Sequence, residues 1–365
     1  MKRRGWRYLG LAAFLAAAAL GIWLCGRHPR QPYAQTMEKA ARLHSEAARL
    51  IREEKKARGI EISEEDILGI GLLGLDYSSI MTTTAGLEEK RTSQLPDFAA
   101  LCVRWFTEAG LKKGDAVGAN FSGSYPGFNL AVLCAAEAMG LEIRYTTSVG
   151  SSRYGANDPA YTFPEMVKTA VDGGVLSTMP GMVTMGGGGD MGRNMMAYFF
   201  EDEEEIAEVE AMKERLASEG LTLTPVENYA QDVALHEALY GEIRLFANAG
   251  GNSLGLGASN NQRILSLGNG LLKNKPEGQP TAKSSLTERY LAKDIPVVFM
   301  LDTRALCEES GIPFDPEEMP KIGTAAMYYL DGPRYSLPAA AAAAAAAVLA
   351  VILIERDERK RRTQP

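Results

Sequence analysis

Histidine is scarce in this 365-residue chain. Only His28, His44 and His236 occur, which argues against a histidine-rich metal centre. Cysteine is equally thin: Cys25, Cys102, Cys134 and Cys307 show no paired spacing of the kind that holds zinc or builds a disulfide framework. Excess positive charge is missing too. The formal net charge is -7, so there is no basic footprint for nucleic acid. The run Glu201 to Glu205 would repel a polyanion and reads as an acidic helix start. No P-loop is present, the dinucleotide fingerprint is not matched in full, the letters around Ser122 and Ser124 fail the G-x-S-x-G pattern, and no repeat of 20 to 50 residues is evident. The sequence therefore calls for no cofactor and no metal.

Two uncharged runs are present. Tyr8 to Cys25 follows the basic start Lys2, Arg3, Arg4 and Arg7. Leu337 to Ile354 contains nine consecutive alanines, Ala339 to Ala347, and precedes a basic tail. Eighteen helical residues span roughly 27 Å, close to a bilayer core. The flanks lack a good cleavage site, so the first run is read as a retained anchor in preference to a secretory signal. The expected organisation is a cytoplasmic tail at 1–7, a transmembrane helix at 8–25, a helical stalk at 26–59, an extracytoplasmic α/β domain at 60–335, a second transmembrane helix at 337–354 and a cytoplasmic tail at 355–365. Basic residues outside both spans imply a two-pass protein of the cell membrane with both termini cytoplasmic.

Between the runs the pattern alternates. Helix-like stretches at 96–110, 127–140, 203–218, 231–240 and 286–293 are interleaved with short apolar strands at 115–121, 141–147, 221–225, 243–247 and 296–301. Strands separated by single helices imply βαβ units: an α/β fold with a mostly parallel sheet, helices on both faces and a Rossmann-like order. The stretch 267–285, rich in Gly, Asn, Lys and Pro, reads as a mobile loop.

Small polar loops follow several strands, on the sheet edge where ligands bind in open parallel sheets. The first supplies Ser122, Gly123 and Ser124. The second supplies Ser151, Ser152, Arg153, Tyr154 and Asn157, and a later one Asn248, Gly250 and Gly251. The glycine tract adds Gly188, Asp190 and Arg193. Together these predict a ligand site for an anion, with Arg153 and Arg193 facing one crevice and offering two-point contacts to a carboxylate. Ser122 and Ser124 are the weak candidates for a nucleophile. The one available histidine base in the folded region, His236, reads better as a half-exposed helix residue.

Four stretches in order, GIGLLGLDYSSIMTTTAGLEEKRTS (Gly69 to Ser93), GANFSGSYPGFNLAVLCAAEAMGL (Gly118 to Leu141), SVGSSRYGAND (Ser148 to Asp158) and NAGG (Asn248 to Gly251), resemble the poly-γ-glutamate system protein family. The resemblance covers about residues 60 to 325. It implies an accessory membrane protein of bacterial poly-γ-glutamate synthesis or export, with synthase or export membrane subunits, the anionic γ-glutamyl polymer and the membrane as partners. It transfers no catalytic residues. The leading expectation is a domain that binds γ-glutamyl polymer or a partner subunit. The alternatives are a γ-glutamyl hydrolase or transferase with a serine nucleophile, and a purely structural scaffold.

Overall fold

A computed structural model describes residues 29–258 and 266–330 of the chain, with isolated helical residues between 10 and 18 and between 342 and 356. Tyr33–Tyr328 forms one compact unit. Among the described residues outside it, Arg30 bridges Tyr329 in antiparallel fashion, and the Leu330 N–H donates to the Pro29 carbonyl at 2.8 Å.

The two expected transmembrane helices have to be withdrawn. Among the described residues no helix is long and apolar enough to cross a membrane. Most of 8–25 and 337–354 lies outside the described residues, as do nearly all of both tails. The fold class is therefore α/β without the flanking spans, and the two-pass arrangement with an extracytoplasmic domain falls with them. The hydropathy argument leaned on alanine, which favours helix but buries too little area to drive insertion strongly.

The stalk is corrected as well. Helix α1 (Ala34–Ala57) carries Met37, Ala40, Ala41, His44, Ala47, Ala48, Ile51 and Lys55 on one buried stripe, spaced three or four apart as one helix face requires. That stripe packs on α3 (Asp97–Glu108) and α4 (Pro126–Met139) inside the domain. Its outer face is held by exposed ion pairs such as Arg49 with Glu46 and Glu53.

The main sheet has six strands. In chain order they are β2 (Ala116–Phe121), β3 (Glu142–Ser148), β5 (Met182–Thr184), β6 (Leu245–Ala249), β7 (Gly270–Leu272) and β8 (Val297–Met300). The spatial order is β5-β3-β2-β6-β8-β7, parallel throughout except for the edge strand β7. A separate parallel pair joins β1 (Met81–Thr83) to β4 (Ser151–Ser152). The chain leaves β2 in one direction and returns to its other side at β6, the doubly wound arrangement with a switch point between those two strands.

Alternation along β2 serves both faces. Phe121 packs against Phe163 at the start of α5 (Phe163–Asp172). On the other face, a Cβ at Gly118 would come within 3.0 Å of Tyr240, the last residue of α8 (Tyr229–Tyr240). Glycine is what lets that aromatic ring reach the sheet. Further helices are α2 (Leu87–Ser93), α6 (Met196–Phe200) and α7 (Glu203–Ser218), with short ones later in the chain at Ser253–Leu256, Leu286–Ala292 and Thr303–Ser310. The acidic run starts α7, where the Asp202 carboxylate accepts from the N–H groups of Glu204 and Glu205, as an N-cap should.

Candidate functional site

A crevice of about 310 Å³ opens beyond the carboxyl ends of the parallel strands, at the switch point where α/β sheets bind ligands. Six segments wall it: Thr82–Ala85 at the end of β1 and beyond, Ser122, Ser124 and Tyr125 after β2, Gly150 and Ser152 at β4, Gly187, Gly188 and Asn194 after β5, Gly251 to Ser253 after β6, and Leu301 after β8. The segments can meet because two glycines allow close backbone approach. A Cβ at Gly123 would come within 2.9 Å of Ser151, and one at Gly155 within 2.7 Å of the Gly123 carbonyl. Tyr125 caps α4 without a side-chain cap bond, so the positive end of that helix lies at the crevice wall.

Of the residues expected at this edge, Ser122, Ser124, Ser152, Gly188 and Gly251 line the crevice. Gly250 stands just behind, where a Cβ would lie 3.5 Å from Ser122 Oγ. Gly123 and Ser151 pack the loops together. Asn248 and Asn157 are buried braces. Asn248 Nδ2 donates to the Gly250 carbonyl at 2.8 Å, and Asn157 exchanges two hydrogen bonds with the backbone of Leu75. The arginines do not wall the crevice. Arg153 is ion-paired to Asp76 and lies over the Tyr154 ring, while Arg193 is exposed on the loop after β5.

A cation that no sequence signal singles out stands behind the crevice wall. Lys90, in α2, is 1% exposed. Its Nζ donates to the Ser124 carbonyl and lies 2.7 Å from Ser152 Oγ, over the Tyr125 ring at 3.4 Å. Burial pushes its pKa well below the ordinary lysine value. The other serines at the wall are occupied by the backbone: Ser124 Oγ accepts from the Ser152 N–H at 3.0 Å, Ser122 Oγ from the Ser124 N–H at 3.3 Å and Ser253 Oγ from the Gly189 N–H at 3.3 Å. Among the serines at this wall, Ser152 has the hydroxyl beside an amine. No local pattern announces Lys90, which sits in a short polar helix among charged neighbours.

His236 is not the partner of Ser122 or Ser124. Among the described residues no hydrogen bond joins it to either; its Nδ1 lies 2.9 Å from the Asp232 carbonyl, one helical turn away on α8. It is buried, not half-exposed. Asp190, in the short turn Gly188–Asp190, meets this pair, and one ligand atom from each of Asp190, Asp232 and His236 lies within 4.8 Å of the others. Asp190 adopts a left-handed backbone (φ +63°). Burial, and then the neighbouring Asp232 charge, raise its pKa to about 6. Asp190 also lines a small cleft with Asn252 and Ser253, residues that wall the main crevice too. The i, i+4 spacing of Asp232 and His236 was visible in the sequence, but nothing there tied it to Asp190.

No family model, curated protein or solved structure matches the chain. What it does has to be argued from the crevice itself.

Proposed function

We propose that the chain is a component of a bacterial poly-γ-glutamate synthesis or export system and that its crevice performs acyl transfer on γ-glutamyl amide bonds, with Ser152 as nucleophile and Lys90 as general base. The observation that carries the reading is the 2.7 Å contact between Lys90 Nζ and Ser152 Oγ at the crevice wall. A buried amine with no paired carboxylate gives up its proton more readily, which suits a serine–lysine pair. In support of the substrate class, all four stretches that resemble the poly-γ-glutamate family contribute to the crevice, through Thr82 to Ala85, Ser122 to Tyr125, Ser152 and Gly251.

In the first half-reaction Ser152 Oγ attacks the γ-carbonyl carbon while its proton moves to Lys90 Nζ. The C–N bond then breaks, and the departing amine takes that proton, leaving a γ-glutamyl ester on Ser152. Water or an acceptor amine attacks the ester, passes its proton through Lys90, and frees the Ser152 hydroxyl. The N-terminal end of α4 beside the crevice favours the negative charge that develops on the carbonyl oxygen.

A second reading has one observation in its favour. Lys90 also donates to the Ser124 carbonyl and sits against Tyr125, contacts that suit a structural amine in a crevice that only holds γ-glutamyl chain for a partner subunit. Incubating the full-length chain with γ-glutamyl oligomers separates the two. The acyl-transfer reading expects shortened or amine-capped oligomers, and a rate lowered about 10²- to 10⁴-fold in both Ser152→Ala and Lys90→Met. Oligomers bound but left intact by the parent chain would favour the holding role and rule out the acyl-transfer one.

A further inference from the structure

We propose that Asp190, Asp232 and His236 form a binding site for one divalent transition-metal cation of the zinc or manganese type. The three residues come from two elements, the turn after β5 and helix α8, and present their ligand atoms within 4.8 Å of one another. The argument does not rest on the clustering alone. Asp232 is fully buried, and neither carboxylate oxygen has a hydrogen-bond partner. A buried carboxylate left in that state is costly, and a cation is the group that would satisfy it.

The alternative internal partner for Asp232 is His236, whose Nδ1 lies 3.2 Å from Oδ1. That nitrogen is already engaged at 2.9 Å with the Asp232 backbone carbonyl. The contact fixes the orientation of the ring. The edge of the buried Tyr240 ring, 5.9 Å from the imidazole between centroids, excludes water on one side. Two carboxylates and one imidazole make a mixed oxygen and nitrogen set, which suits zinc, manganese or iron(II) better than calcium or magnesium. Ligands about 2.1 Å from a tetrahedral metal lie about 3.4 Å apart, so groups up to 4.8 Å apart must close by up to about 1.4 Å. A three-residue set also leaves coordination positions open, on the side where Asp190 borders the small cleft next to the crevice.

The test is direct binding, independent of any activity at Ser152. The full-length chain, stripped with a chelator, is titrated calorimetrically with Zn²⁺ and, separately, Mn²⁺, and retained metal is counted by mass spectrometry. One cation per chain is expected, with affinity lowered at least a hundredfold in Asp232→Asn and in His236→Gln, and a metal-dependent rise in Tm that both variants lose. Asp190→Asn, on a half-buried turn, provides the same readout should an α8 variant fail to fold. A parent chain that retains neither cation overturns the site, as does one whose affinity is unchanged in folded Asp190→Asn. An affinity unchanged in Asp190→Asn would mean that the cation is adventitious.

Discussion

Lys55 and Lys90 are buried to nearly the same degree, yet their surroundings differ. Lys55 closes α1 and donates to the Leu73 carbonyl at 2.9 Å. Burial lowers its pKa to about 8, against the opposing pull of Asp158 and Asp66, so at neutral pH it is still an ammonium bracing the scaffold. Lys90 has a carbonyl, a hydroxyl and a ring around its nitrogen, and the only carboxylate opposing desolvation is Glu89. Acidic neighbours favour the charged form of a buried lysine, and Lys55 has two of them where Lys90 has one.

The contrast can be broken most sharply at Lys55. Lys55→Glu would bury a third carboxylate near Asp66 and Asp158, and should cost about 4 kcal/mol. Lys56→Glu, on the exposed side of α1, should change stability by no more than about 0.5 kcal/mol. Denaturant midpoints of the two variants measure the difference; equal midpoints would mean that α1 does not pack in the domain.

His44 extends the scaffold side of the comparison. It is buried in the same helix, near Gly127, whose carbonyl lies 3.0 Å from its Nε2. Desolvation lowers its pKa from 6.5 to about 4. The unfolded chain therefore binds a proton between those values that the folded chain refuses, and stability must fall as pH drops from 6.5 towards 4. The loss should reach about 3 kcal/mol between pH 7 and pH 4. His44→Gln should flatten that part of the stability curve, which urea titrations across the range would reveal.

At Lys90 a smaller stability effect is expected than at Lys55 or His44. Lys90→Met removes a desolvated amine as well as its hydrogen bonds, so the net change should stay within about 1 kcal/mol. A thermal melt of the variant checks this. A loss as large as that of Lys55→Glu would make Lys90 a strut too, and the distinction between the two lysines would vanish.

Much of the scaffold was readable from local signals. Helix α7 runs over 203–218 as expected, because its cap and acidic first turn sit next to each other in the chain. Strands β2, β3, β6 and β8 lie within two residues of their expected ends. The expected strand at 221–225 shrinks to one bridge, Val183 with Leu223, while β5 at Met182–Thr184 was missed because a three-residue strand carries too little period to register. The stretch 267–285 holds the edge strand β7.

The crevice was legible only in part. Loops after strands are a local pattern, and three of them contribute to its walls. The β1 segment and Lys90 were not legible, since Thr82 reaches the site by bonding the Ser151 carbonyl 69 residues away. Arg153 was misplaced for the same reason. Its nearest acid, Asp76, lies 77 residues earlier in the chain, and neutralises it outside the crevice. Alternation along α1 marked an apolar stripe but could not say what would cover it, and so a packed helix read as a stalk.

The order of strands also bears on how the molecule assembles. Asn120 on β2 meets Thr146 on β3 across 26 residues of chain, but it meets Asn248 on β6 across 128. The β2–β3 half closes a short loop, whereas pairing with β6 must wait for a much longer one, whose closure slows folding. A chain arrested between these steps would already hold Ser122, Ser124 and Ser152 in place, with Lys90 close at hand. It would still lack the wall from Gly251 to Ser253. The crevice is therefore among the last features to form, and a kinetic probe placed there, such as a fluorophore near Asn252, should report completion of folding later than one placed on α4.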